Sequence, residues 1–209
     1  PLGAGPEEPA WPGMLETVQR WKDTAPAIPV LVTTAGLKPL IHPGIDVIAV
    51  HSPVFDTPRG QDLLDRIGAG GEVWWYVNDA PPRPYANLLL DFAAIEHRVL
   101  FWQAWALGVK GMHYWSINYS EADRDPWRDT LDSTPVNGDG LLVYPGPSGP
   151  VDSIRWECVR DGIEDYDYLV LFSALRQELA RRPGQEAMLE AAARAGDLGA
   201  LLPDLVSYS

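Results

Sequence analysis

The sequence predicts an α/β fold with four parallel strands, which is half the strand content of a (β/α)8 barrel. Three observations support this prediction. Four short runs are almost continuously apolar, as strands buried on both faces are. Helical patterns separate or follow the runs, as crossovers between parallel strands require. The runs begin at residues 28, 44, 71 and 111, and these spacings bracket the ~30 residues of one βα unit in a barrel.

The four strands are short and rich in β-branched or aromatic residues, and they are predicted at residues 28–34, 44–51, 71–78 and 111–119. A sheet of four parallel strands has two open edges, which folded proteins normally cover. Either the chain therefore pairs with another polypeptide, or the remainder of the barrel is missing. A small open doubly wound sheet is the structural alternative.

Five helices are predicted from apolar periodicity and from Gly or Pro near their ends, at residues 14–24, 62–67, 88–107, 154–181 and 185–195. Two of them carry an apolar stripe at three- and four-residue steps, which is expected to face the core. The stripe is Phe92, Ile95, Val99, Trp102 and Ala106 in the third helix, and Val159, Ile163, Tyr166 and Val170 in the fourth.

The segment 120–150 is rich in acidic residues and proline, and it is predicted to be a long loop after the fourth strand. Loops at the carboxyl ends of barrel strands often carry function. The sequence is thus expected to divide into a half-barrel domain at 1–182, which includes this loop, and a C-terminal helix with an irregular tail at 183–209.

Composition excludes several kinds of partner and cofactor. The net charge of −13 opposes binding to nucleic acid or to an anionic membrane, because both need clustered Lys and Arg. No apolar stretch of about 18 residues suggests a membrane span, and no signal-peptide pattern is visible, so the compartment stays open. Cys158 is the single cysteine, which excludes an internal disulfide and a Cys-rich zinc site. The histidines lack metal-ligand spacing and no phosphate loop occurs, so no metal or cofactor is expected.

Nine short strings of polar and aromatic residues follow one another along the chain from the third strand onwards. They are Glu72-Val-Trp-Trp-Tyr-Val77, Pro84-Tyr-Ala-Asn87, Ala94-Ile-Glu-His-Arg98, Trp102-Gln-Ala-Trp105, Gly111-Met-His-Tyr-Trp-Ser-Ile-Asn-Tyr119, Asp125-Pro-Trp127, Asn137-Gly-Asp-Gly140, Tyr144-Pro-Gly146 and Arg160-Asp-Gly-Ile-Glu-Asp-Tyr-Asp-Tyr-Leu169. In this order they resemble the C-terminal half of the catalytic domain of glycoside hydrolase family 123, including its uncharacterised bacterial relatives. The resemblance covers about residues 10–180.

The resemblance implies a (β/α)8 barrel with retaining exo-β-N-acetylgalactosaminidase activity, in a family that is often secreted or periplasmic. It also implies substrate assistance. The 2-acetamido oxygen attacks the anomeric carbon, an Asp orients the amide, and the adjacent Glu protonates the leaving oxygen. No apolar strand precedes the first helix to carry such a pair, so the Asp-Glu pair is expected upstream of Pro1. Glu7-Glu8-Pro9 only imitates the motif.

This chain would then supply the far wall of the sugar pocket. Amide and phenol groups bond sugar hydroxyls, and indole rings stack on sugar faces. The candidates lie at or after strand ends, where barrel enzymes bind substrate, and they are His51, Tyr76, Asn78, Trp115, Asn118 and Tyr119, with Trp127 as an outer platform in the long loop. A structural role is the interpretation for the other histidines, including His113, and for Trp74, Trp75 and Tyr114. The set Glu96-His97-Arg98 is interpreted as tying its helix to neighbouring elements.

Two other hypotheses remain open at this point. The first is a non-catalytic carbohydrate-binding or structural module that kept the barrel but lost the acid, which predicts sugar binding without turnover. The second is a small α/β protein that dimerises through its open strands to complete a barrel, which predicts a symmetric dimer with no foreign chain.

Overall fold

A computed structural model describes residues 11–34, 43–121, 123–131, 136–197 and 201–208. Its centre is a sheet of four parallel strands, in the order β1-β2-β3-β4. The strands are β1 (Leu31–Thr34), β2 (Val47–His51), β3 (Glu72–Val77) and β4 (Gly111–Tyr114). The predicted α/β fold with four parallel strands is therefore confirmed. Within the described ranges, β1 and β4 each pair with one strand only, so both edges of the sheet are open.

The described part of the chain contains five α-helices, as the sequence predicts. They are α1 (Trp11–Thr24), α2 (Gly60–Gly68), α3 (Ala94–Leu107), α4 (Ile154–Ala180) and α5 (Glu186–Ala195), and a 3-10 turn spans Ser52–Asp56. The predicted start of α3 at residue 88 is wrong. The Glu96 carboxylate accepts a hydrogen bond of 3.2 Å from the backbone N–H of Ala93, which caps the helix there. None of these helices is long and apolar enough to cross a bilayer.

Helices α1 to α4 pack on one face of the sheet. Alternate strand residues point to that face and form two buried clusters with the helices. One cluster joins Ile48 and Val50 of β2 to Leu63 of α2 and Val18 of α1. The other joins Trp75 and Val77 of β3 to α3, with Tyr114 and α4 packed against it. Trp75 and Tyr114 are thus core residues, as interpreted from the sequence.

The predicted apolar stripes are only partly right. In α3, Ile95 is exposed, whereas the polar residues Glu96, His97 and Gln103 are buried. Each of these three side chains makes at least one hydrogen bond, which offsets part of the cost of its burial. In α4, Ile163 and Val170 are exposed, and the buried residues are Arg155 and Gly162. In α3 the periodicity failed to predict the buried residues because this helix is covered on several sides, which leaves no single buried stripe.

Strand β4 is shorter than predicted, because the chain leaves the sheet after Tyr114. The carbonyl oxygen of Ile117 accepts hydrogen bonds of 2.7 Å from the backbone N–H groups of Leu142 and Val143. Residues 115–119 therefore pair with the far end of the long loop and not with the sheet. That loop is not wholly irregular either, since β5 (Val143–Gly146) and β6 (Gly149–Asp152) form an antiparallel hairpin.

The C-terminal residues 201–208 are irregular, as predicted, but they pack back onto α3. Leu205 is buried in the core cluster of β3 and α3. The side-chain amide of Gln103 donates a hydrogen bond of 3.1 Å to the carbonyl oxygen of Leu205. The tail thus covers the side of α3 that neither the sheet nor α4 covers.

Candidate functional site

The face of the sheet opposite the helices carries the candidate site. Strand pairing places His51, Tyr76 and His113 at the same level on three adjacent strands, near their carboxyl ends. One level below lie Ala49, Trp74 and Gly111. Residues paired at one level point to the same face of a parallel sheet. Sequence alternation put Trp74, Tyr76 and Asn78 on one face, and the packing now shows that this face points away from the helices.

The level of His51, Tyr76 and His113 forms a row of three rings, named here the strand-end row. Tyr76 is central. The ring of His51 stacks on it at 5.3 Å with an interplanar angle of 26°. The ring of His113 meets it edge-on at 6.5 Å and 80°. His113 was interpreted as structural from the sequence, and its place in this row could have been inferred only from the register of β3 and β4.

Burial keeps two members of the strand-end row, His51 and Tyr76, uncharged. Desolvation lowers the pKa of His51, although the backbone of Ala80 and the charge of Asp79 partly oppose this shift. Desolvation also raises the pKa of Tyr76, and Asp79 adds to that shift. Near neutral pH the two side chains are therefore uncharged. The Nε2 atom of His51 is buried and has no hydrogen-bond partner among the described residues.

A shallow cavity opens at this end of the sheet. It is lined by Thr33, Tyr76, Val77, Asn78, His113 and Trp115. Three of the predicted site residues thus line one cavity, and a fourth, His51, adjoins it through its stack on Tyr76. The side-chain oxygen of Asn78 accepts a hydrogen bond of 3.1 Å from the backbone N–H of Ala80, which fixes the amide at the end of β3.

The loop after β3 is held by Asn87, which sequence reasoning did not single out. Its buried amide donates hydrogen bonds of 3.0 Å to the carbonyl oxygens of Asn78 and Pro81. Its own carbonyl oxygen lies 2.9 Å from Nδ1 of His97, which donates to it. Burial lowers the pKa of His97. His97 is therefore structural, as interpreted, and two cis peptide bonds (Ala80–Pro81 and Arg83–Pro84) lie within the same loop.

Trp115, Asn118 and Tyr119 lie on the strand-like turn that follows β4. The rings of Trp115 and Tyr119 meet at 5.7 Å and 60°, and both side chains are about two-fifths exposed. Asn118 is exposed and forms a β-bridge with Leu141. Gly140 has a φ of +69°, and a Cβ there would come within 3.0 Å of the Trp115 ring. Glycine at this position therefore allows the Trp115 ring to lie where it does.

Trp127 does not line the cavity, and its side chain packs against the β5–β6 hairpin. Its ring packs on that of Tyr144 at a centroid distance of 4.8 Å. Its indole N–H donates a hydrogen bond of 2.8 Å to the carbonyl oxygen of Pro145. The side chain is still 57% exposed, so one face of the indole is free to take a ligand.

Arg155 holds together the loops that follow β3 and β4, and sequence reasoning missed it. Its buried guanidinium donates hydrogen bonds of 2.8 Å and 2.9 Å to the carbonyl oxygens of Leu88 and Gly138, and a further one to that of Leu141. Beside it, the Tyr114 hydroxyl accepts a hydrogen bond from the Gly140 N–H, and burial raises the pKa of Tyr114. A charged residue in the first turn of a helix is a weak sequence signal for such a role.

No group of three or more His, Cys, Asp or Glu side chains in the described ranges is arranged to hold a metal ion. The described residues that line the cavity offer neutral hydrogen-bonding groups and aromatic rings, which are groups that bind carbohydrates in proteins.

The chain matches the model of the family described as glycoside hydrolase 123, catalytic domain, over residues 7–172. This match covers more than half of the chain, so the chain belongs to that family, and the resemblance drawn from its motifs is confirmed. No curated protein matches it. Among solved structures, it is similar to a family 123 glycoside hydrolase from Clostridium perfringens, which was analysed for glycolipid glycan hydrolysis.

The likeness to the Clostridium perfringens structure has a TM-score of 0.67 at 13% sequence identity. It covers 90% of this chain and 32% of that chain. The chain thus spans about a third of the length of the structure it matches. At this identity the likeness shows the fold.

Proposed function

We propose that this chain is the C-terminal half of a (β/α)8 barrel glycoside hydrolase and supplies one wall of its sugar pocket. One observation carries the proposal. The strand-end row and the half-exposed Trp115 lie at the carboxyl ends of parallel strands, on the face opposite the helices. In a (β/α)8 barrel the helices lie outside, and substrates bind at the carboxyl ends of the strands.

Closing the barrel requires strands on both open edges of the sheet. β1 and β4 are the edges, and β4 adjoins a groove lined by Phe101, Met112 and Ile163. The proposed partner is the N-terminal half of the barrel, from the same parent or as a separate chain. A second copy of this chain would be the alternative partner. The half-barrel domain at 1–182, with a C-terminal helix and tail at 183–209, is part of this proposal.

The proposed activity is that of a retaining exo-β-N-acetylgalactosaminidase with substrate assistance. The Asp-Glu pair, expected upstream of Pro1, belongs to the complementary half in this proposal, and this chain binds the sugar. Tyr76, Asn78 and Trp115 line the cavity, His51 stacks on Tyr76, and Tyr119 contacts Trp115. Asn118, next to Tyr119 in the chain, is a further proposed contact, and Trp127 is the proposed outer platform. A glycan with a terminal β-linked N-acetylgalactosamine, as on a glycolipid, is the proposed substrate.

The activity is tested with an aryl N-acetyl-β-galactosaminide and the protein together with its barrel partner. We expect the β-anomer to be released first, since two inversions give retention. A trifluoroacetamido substrate should react at least tenfold more slowly, because fluorine makes the attacking amide oxygen less nucleophilic. Sugar binding without turnover would favour the non-catalytic module, and absence of both binding and turnover would overturn the proposal.

The partner is tested by native and denaturing mass spectrometry of the same sample. A second polypeptide, or a mass well above 23.0 kDa under denaturing conditions, would support the complementary half. A native dimer of a single 23.0 kDa species would favour the self-paired barrel.

A further inference from the structure

We infer that His113 binds the sugar directly, and that the strand-end row of His51, Tyr76 and His113 recognises the hydroxyl groups of a neutral sugar. This inference rests on the proposed function and deepens it. It adds a residue that the sequence assigned to a structural role, and it assigns one chemical task to three side chains.

The first step is position. His113 is paired with Tyr76, and Tyr76 with His51, so all three side chains point to the helix-free face at one level. Both Tyr76 and His113 line the strand-end cavity. A structural histidine of this fold has a different environment, since His97 is buried and bonded to the Asn87 carbonyl oxygen. His113 is only partly buried and has no such bond to a described residue.

The second step is unused hydrogen-bonding capacity. The Nε2 atom of His51 is buried without a partner among residues 11–34, 43–121 and the other described ranges, and a buried polar atom left in that state is costly. The Tyr76 hydroxyl and the His113 imidazole make no hydrogen bond to a described residue, and their rings contact the other rings of the row. The backbone of Ala80 is a hydrogen-bond partner of the His51 imidazole, but His51 Nε2, the Tyr76 hydroxyl and the His113 imidazole keep capacity that no described residue uses.

The third step is charge. Among the described residues that line the cavity, none is Lys or Arg. A carboxylate, phosphate or sulfate group would need such a partner or a cluster of N–H donors. The neutral His51 imidazole and the Tyr76 phenol each donate and accept hydrogen bonds, as sugar hydroxyls do. The row therefore fits a neutral sugar in preference to an anionic one.

The test keeps the rings and removes the polar atoms. His113→Phe, Tyr76→Phe and His51→Phe are compared with the unchanged protein for binding of N-acetylgalactosamine and its monodeoxy analogues, by titration calorimetry. The samples are those of the activity assay. Each variant is expected to lose roughly threefold to tenfold in affinity, as loss of one hydrogen bond to a neutral partner predicts. Tyr168→Phe, at an exposed site on α4, is the matched control and should bind normally.

The decisive readout is the coupling between a variant and a missing hydroxyl. In the unchanged protein, one monodeoxy sugar should bind more weakly than the parent sugar. In His113→Phe these two sugars should bind with equal affinity, because the hydrogen bond is already lost. A merely structural role would weaken all sugars alike, and that result would overturn the inference. Normal binding by His113→Phe would also overturn it while leaving the proposed function intact. Absence of sugar binding by the unchanged protein would sink both.

Discussion

Arg155 shows how one side chain can hold two loops that come from different strands. Replacing it in an Arg155→Met variant leaves the carbonyl oxygens of Leu88, Gly138 and Leu141 without their donor. Each unsatisfied buried acceptor costs about 1–3 kcal/mol, so we expect the free energy of unfolding to fall by at least about 3 kcal/mol. Urea unfolding measures this as a lower midpoint with an unchanged slope.

Arg160→Met is the matched control for Arg155→Met. Arg160 lies on the same helix but is solvent-exposed and pairs only with nearby acidic residues of α4. Its loss should barely move the urea midpoint. Equal effects of the two variants would show that the loops do not depend on the Arg155 guanidinium.

Asp165 ties α4 to α3 and is expected to make stability depend on pH. Its carboxylate accepts hydrogen bonds from Arg98, at 2.5 Å and 2.8 Å, and from the Trp102 indole at 2.7 Å. The Arg98 bonds, and then that from Trp102, lower the pKa of Asp165 against the opposing effect of desolvation. A carboxyl with a lowered folded-state pKa stabilises the fold above its unfolded pKa of about 3.9 and loses this effect as the pH falls further.

The measurement is the unfolding free energy of the unchanged protein and of Asp165→Asn between pH 3 and pH 7. The difference should be constant above about pH 5 and should shrink below about pH 4. In an Arg98→Gln background the same exchange should show a smaller pH dependence. A difference that stays constant down to pH 3 would contradict this account of the ion pair.

At the scale of elements, Gly162 sets the distance between α3 and α4. A Cβ at this position would overlap the ring of Phe101. Gly162→Ala should therefore destabilise the protein by about 1–2 kcal/mol, although alanine is the better helix former. Thermal unfolding followed by circular dichroism measures the change. Gly13→Ala in α1, where a Cβ meets open space, should instead leave the protein unchanged or stabilise it by up to ~1 kcal/mol.

The packed tail is a second element whose role is testable. Leu205 is 6% exposed and lies in the core beside α3, whereas Leu201 is 43% exposed. Leu205→Ala should cost about 2–4 kcal/mol of unfolding free energy, as buried Leu→Ala exchanges do. Leu201→Ala should cost far less. Hydrogen exchange would show the reason, because opening of the tail exposes the amides of α3. Equal costs would mean that the tail does not stabilise α3.

At the scale of the whole molecule, the sequence predicted what depends on local pattern. Apolar runs bounded by Gly and Pro located the four strands of the parallel sheet but not β5 and β6, and periodicity located all five described helices. It did not predict the end of β4 at Tyr114, because that end is set by pairing of Ile117 with Leu142 and Val143, far along the chain. Nor did it predict the buried side of α3, since the buried Gln103 there is bonded to Leu205, about a hundred residues along the chain.

The candidate site likewise contains residues that the sequence predicted and residues that it missed. Strand ends can be read from sequence, so His51, Tyr76, Asn78 and Trp115 were named and lie around one cavity. The residues that were missed act through long-range geometry. Arg155 needs the positions of three carbonyl oxygens, Asn87 needs the folded loop after β3, and His113 needs the register of two strands.

In the part of the chain that the structure describes, the sheet has two open edges, through which one molecule could add to the next. All four strands are parallel, so the β4 edge of one molecule can continue into the β1 edge of the next with strand direction preserved. Such a contact is head-to-tail, and it ends in a ring only if the rotation between molecules closes. If it does not close, each added molecule leaves a fresh edge, and the product is a filament. Light scattering that rises steeply with concentration in a sample without a barrel partner would be the visible sign.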